Sequence, residues 1–203
     1  MGSQVLRFLQ QENQRLIEEN QLLRQEVMQL RDYLAGLRSL QRAAETIAME
    51  PDPLTLLDKI LYSALTVVDC ANGSIFLLDD DADELVFVVV RGALSDVLRG
   101  QRIPANLGMA GWVVKHSEPL VSNNVRSDPR FSSYVDDTFH FVTNSLLCVP
   151  MLVRGKTLGV IEVLNKFNTE PFSEADVDLL STLAYIAATT IDRLEAEQTP
   201  PVL

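Results

Sequence analysis

The run Leu146-Leu147-Cys148-Val149-Pro150-Met151-Leu152-Val153, then Arg154-Gly155-Lys156, then Leu158-Gly159-Val160-Ile161-Glu162-Val163-Leu164, reads as two apolar strands folded back on each other about a glycine-bearing turn. Upstream, Ser74-Ile75-Phe76-Leu77-Leu78 and Leu85-Val86-Phe87-Val88-Val89-Val90 flank the acidic turn Asp79 to Glu84 and give another hairpin. Two hairpins joined by a long connection predict an antiparallel sheet. Helices flank it in sequence. Leu54, Leu57, Ile60, Leu61, Ala64, Leu65 and Val68 keep helical spacing. At the other end Ser173 is a cap, with Asp176 in the first turn of a helix running to about Glu197. The fold class is therefore α/β of the α+β kind, an antiparallel sheet with flanking helices.

Between the hairpins, Gly108-Met109-Ala110-Gly111 opens a short helix over Trp112 to His116, and Pro119 to Ser122 is a brief strand. The connection Asn123 to Asn144 follows, punctuated by Pro129 and carrying Phe131, Tyr134, Asp136, Asp137, Phe139, His140 and Phe141. Connections of that length are usually functional or mobile. On the last helix Val177, Leu180, Ala184, Ala187, Ile191 and Leu194 form one apolar seam, and Leu179, Leu183 and Ile186 an adjoining face. One face covers the sheet. The other is either core as well or a dimer contact, and the pattern leaves both open.

The first fifty residues follow another rule. Leu9, Leu16, Leu23, Leu30 and Leu37 recur every seven residues, and three positions before each stand Leu6, Asn13, Asn20, Val27 and Leu34. With leucine at d, Glu19 and Glu26 occupy g and Arg24 and Arg31 occupy e, so a parallel dimer sets opposite charges across the seam. An antiparallel pair would oppose like charges. Asn13 and Asn20 at a select register and two strands at a cost in stability. Beyond Leu37 the phase shifts to Leu40, Ala44 and Ile47, and Pro51 and Pro53 end the helix. The expected organisation is a parallel dimeric coiled coil over residues 1–50, one domain over 51–198 that includes a C-terminal dimer helix, and a tail at 199–203. Only Arg7 precedes Leu9, so the basic arm of a leucine-zipper DNA-binding protein is missing.

Of 17 basic and 28 acidic residues, 6 and 7 fall in residues 1–50, leaving 11 and 21 for the rest. So acidic a domain is a poor fit for nucleic acid or an anionic membrane. No apolar run approaches the length of a membrane span, and Met1-Gly2-Ser3-Gln4 has no signal-peptide core, which reads as a cytoplasmic protein. Cys70 and Cys148 stand apart in apolar surroundings and read as buried free thiols rather than a disulfide or metal site.

Five stretches together resemble the GAF domain: Ser74 to Asp79, Ile103-Pro104-Ala105-Asn106-Leu107-Gly108-Met109-Ala110-Gly111, Val135-Asp136-Asp137, Leu147-Cys148-Val149-Pro150, and Gly159 to Lys166. Among its subfamilies the chain is most similar to those of cyclic-nucleotide phosphodiesterases and cyanobacterial adenylyl cyclases, over about residues 55 to 195. Their Asn-Lys…Phe-x-x-x-Asp-Glu signature is met by Asn165, Lys166, Phe172 and Asp176, with Val177 in place of the final Glu. Lys166 at a strand end and Asp176 at a helix start suit an ion pair that pins the loop between them.

The resemblance implies a ligand pocket between the sheet and the long connection, with Ser74, Met109, Ala110, Asp136, Thr143 and Glu162 at matching positions. It departs where the family has Phe-Asp and Thr, since this chain has Val90-Arg91 and Phe139. Loss of the strand Asp weakens purine-edge recognition, while Arg91 adds a cation suited to an anion. The implied ligand is a cyclic nucleotide or another small anion, and no cofactor is required. Bilin attachment lacks a loop Cys, and haem would rest on the lone His116 or His140. No nucleophile, Gly-rich phosphate loop or paired acid and base forms a catalytic set, so the chain reads as no enzyme. Two readings stand: a ligand-gated homodimeric module that passes a signal to a downstream signalling protein, or a ligand-free dimerisation scaffold recruiting a partner through the coiled coil.

Overall fold

The computed structural model describes residues 2–47, 52–167 and 169–198. The chain divides after Arg38 into two compact units. The first holds most of helix α1 (Gly2–Ile47), which leaves Leu6, Leu9, Leu16, Leu23, Val27, Leu30 and Leu34 exposed. Glu12 and Glu19 are both engaged within the helix by Arg15, at 2.6 and 3.3 Å. The side chains of Leu37, Leu40, Ala44 and Ile47 lie outside the described ones, as do Glu50 and Pro51 of the expected break and the tail.

The second unit is built on a six-stranded antiparallel sheet in the order β3-β2-β1-β6-β5-β4. Its strands are β1 (Cys70–Asp79), β2 (Glu84–Arg91), β3 (Arg102–Pro104), β4 (Leu120–Ser122), β5 (Leu146–Val153) and β6 (Lys156–Lys166). The hairpin that decides the fold closes through Arg154 and Gly155, at φ 50° and 79°. Two successive positive φ values suit the right-handed twist of the paired strands. Pro150 stands in β5 beyond the reach of β4, which pairs only with Leu146 to Cys148, so its missing N–H leaves no ladder bond unmade on that side. At Gly159 the strands come so close that a Cβ would lie 2.0 Å from the carbonyl oxygen of Phe76.

Alternation along the strands separates two cores. Ile75, Val89, Leu147, Val149, Ile161 and Val163 face α2 (Pro53–Val68) and α6 (Glu174–Gln198). Helix α2 begins at Pro53 itself, behind the cap Asp52, whose carboxylate accepts from the Thr55 amide at 2.8 Å. Pro53 therefore starts a helix, because a first-turn residue needs no N–H partner. Both apolar faces of α6 enter this core: Leu180, Ala184, Ala187 and Ile191 of the seam are buried beside Leu179 and Leu183. These seam residues pack within the chain, against the sheet and α2.

On the opposite face Phe76, Phe87, Val90, Leu146, Cys148, Val160 and Met109 form the second core. It is covered by α3 (Ser95–Leu98), α4 (Gly108–His116), a 3₁₀ turn at Val125–Ser127 and α5 (Tyr134–Phe139). The connection Asn123 to Asn144 is therefore partly helical. Cys70 and Cys148 are free and buried, and burial pushes the Cys70 thiol up to about 12. Among the described residues no helix is long and apolar enough to cross a membrane.

Candidate functional site

The second core is incomplete. Between β1, β2, β6, α4 and the connection lies an open cavity. Phe76 and Phe87, with ring centroids 4.1 Å apart, form part of its apolar wall. Of the nine residues expected in a pocket, Ser74, Val90, Arg91, Met109, Ala110, Asp136, Thr143 and Glu162 border this one space. Phe139 does not; it packs half-buried against the second core.

Position in the wall does not make each side chain available. In the pairing of β1 with β2, Ile75 opposes Val89 and the next residue, Phe76, opposes Phe87, leaving Val88 as an extra residue. Such a bulge reverses the alternation beyond it. Val90 is turned toward the cavity, and the guanidinium of Arg91 meets Asp58 of α2 through Nε at 3.0 Å and Nη2 at 2.5 Å. The same guanidinium lies 5.1 Å over the ring of Tyr62. The charge of Arg91 is therefore matched by Asp58 on the helical side of the sheet.

Asp136 is 5% exposed and fully occupied. Its carboxylate accepts from the Thr143 hydroxyl at 2.7 Å, the Thr143 amide at 2.9 Å and Arg126 at 2.6 Å. These bonds join α5, the 3₁₀ turn and the approach to β5, so Asp136 and Thr143 hold the cover of the cavity together.

Glu162 differs. It stands on β6 opposite Ser74 of β1 and Cys148 of β5, with Val160 and Leu164 on either side along the same face. No hydrogen bond or ion pair holds its carboxyl among the described residues. Burial, with the nearby charge of Asp136, pushes it up to about 7. Helix α4 contributes Met109 and Ala110 near its N-terminus, where no side chain caps the backbone. The unmatched backbone donors of such a turn suit an acceptor on a ligand.

The signature residues lie at the far end of β6. Asn165, at φ 56°, accepts from the amides of Asn144 and Ser145 at 2.8 and 3.3 Å and donates to Val142 at 2.8 Å. Lys166 donates to Asp176 at 2.7 Å, with both side chains about nine-tenths buried, and its Nζ lies 5.7 Å from the centre of the Phe172 ring. Asp176 also accepts from the Ser173 amide at 2.8 Å while Ser173 caps α6 in return. Sequence reasoning missed Phe76, Phe87, Ser132 and Leu164 as cavity walls; their strand positions on the face of Glu162 were the available signal for all but Ser132.

A family comparison matches the GAF domain over residues 52–191. A probable 3′,5′-cyclic phosphodiesterase of Caenorhabditis elegans is 31% identical over 135 residues, 62% of this chain and 18% of that protein. A dual 3′,5′-cyclic-AMP and -GMP phosphodiesterase of Drosophila melanogaster is 29% identical over 150 residues, 67% of this chain and 10% of that protein. The chain thus spans less than a fifth of the length of either relative. Among solved structures, the GAF domain of a phosphoenolpyruvate-protein phosphotransferase from Coxiella burnetii superposes with a TM-score of 0.75 at 19% identity, covering 81% of this chain and 97% of that one. A free methionine-R-sulfoxide reductase of Neisseria meningitidis gives 0.68 at 20% identity, covering 81% and 93%. With the sheet order, the cavity and the paired Lys166 and Asp176 in place, this chain belongs to the GAF domain family.

Proposed function

We propose that this chain is a regulatory, non-catalytic sensing module in which a small molecule enters the cavity under the Asn123 to Asn144 connection and alters the helices packed around the sheet. The observation that carries the reading is the cavity itself, where an unpaired carboxyl and an uncapped helix start converge within apolar walls. The phosphodiesterase relatives make cyclic AMP and cyclic GMP the first ligands to try. Two copies joined in parallel through α1 complete the proposal, supported by the exposed leucines at the d positions. Output passes to a downstream signalling protein in the cytoplasm.

Mass spectrometry of the purified protein, followed by titration with cyclic AMP, cyclic GMP and a metabolite panel, tests the sensing half. Saturable binding by one compound is expected. A dimeric chain that binds nothing would instead be a ligand-free scaffold.

A further inference from the structure

The cavity's charged side chains are not equivalent. Arg91 borders it, but its guanidinium is matched by Asp58 and Tyr62 on the other face of the sheet. Asp136 has both carboxylate oxygens occupied by Thr143 and Arg126. Of the charged residues lining the cavity, Glu162 alone has neither a hydrogen bond nor an ion pair to another described residue, so the space offers a ligand a carboxyl and no unmatched cation. A carboxyl in apolar walls is satisfied by N–H donors, and a second negative charge brought close to it is repelled.

Building on the sensing reading above, we propose that the cavity takes a flat, uncharged or cationic heterocycle whose N–H groups donate to Glu162, with no phosphate group needed to hold it. The uncapped start of α4 then donates to a neutral acceptor, such as a ring carbonyl. The titratable groups around Glu162 are Asp136 and Tyr134 from α5, Arg91 at the border and Cys148 across the β5 pairing; α4 brings Met109 and Ala110 and no charge. N–H donors favour the ionised carboxylate. A neutral ligand is therefore bound more tightly as pH rises through about 7, where Glu162 loses its proton, and binding releases protons below that value.

Guanosine, adenosine, cyclic GMP and cyclic AMP are titrated into the full chain by calorimetry at pH 6 and pH 8. The expected result is that one nucleoside binds within about threefold of its cyclic nucleotide, more tightly at pH 8, and that Glu162→Gln weakens it at least tenfold and removes the pH dependence. The Gln variant keeps the size of the side chain, and its unfolding transition shows whether it remains folded. A cyclic nucleotide that binds more than tenfold better than its nucleoside overturns the proposal and leaves the sensing reading standing. An anion from the metabolite panel that binds where both nucleosides fail overturns it in the same way. No binding by any compound overturns both.

Discussion

Glu162 costs the fold stability that a neutral side chain would not. Its carboxyl is raised from 4.5 to about 7, chiefly by burial and then by Asp136. The folded chain therefore holds this proton more tightly than the unfolded chain. The sign follows: Glu162 does no harm below pH 4.5, and stability falls as pH climbs toward 7. In urea titrations from pH 5 to pH 8, Glu162→Gln should flatten this part of the decline and be the more stable protein at pH 8. Lys166 and Asp176 present the opposite case, a buried pair already matched. Removing one partner in Lys166→Met or Asp176→Asn strands the other and should cost about 3 kcal/mol in the same assay. The double change Lys166→Met with Asp176→Leu should cost less than the sum of its parts. Gly159→Ala tests strand approach, since its Cβ would strike the Phe76 carbonyl; a loss of about 2 kcal/mol is expected from the forced shift.

At the level of elements, the exposed leucines of α1 set the prediction. If α1 pairs as proposed, Leu16→Glu with Leu23→Glu places charge at two neighbouring d positions, and sedimentation should change from dimer to monomer while the GAF domain keeps its unfolding transition. Both hairpins and the helices next to them were legible in the sequence because apolar alternation and helical spacing are local signals. The short strand Arg102–Pro104 and helix Ser95–Leu98 were not, being held by neighbours rather than by periodicity. The bulge at Val88 was invisible for another reason. Six apolar residues in a row, Leu85 to Val90, carry no phase, so the side of the sheet on which Arg91 emerges is set only by its pairing with β1 and its ion pair with Asp58. Likewise the last helix showed two apolar faces, and only the packing of α2 beside it reveals that residues of both enter the core.

For the whole molecule, the candidate site was legible as a set of positions and not as a set of roles. Eight of the nine expected residues border one cavity, yet the availability of Asp136 and Arg91 depends on Arg126 and Asp58, residues that no local pattern connects to them. If the sensing proposal is right, a saturating ligand should raise the thermal midpoint of the GAF domain by several degrees, about what 100-fold excess over Kd supplies in a domain of this size. The end of β6 gives that prediction a mechanical side. Asn165 holds the exit of the long connection, and its neighbour Lys166 holds the start of α6. Consecutive Cα atoms lie about 3.8 Å apart. The cover of the cavity and the longest helix of the GAF domain are thus rooted in adjacent residues, so a displacement of either at its root would load the other.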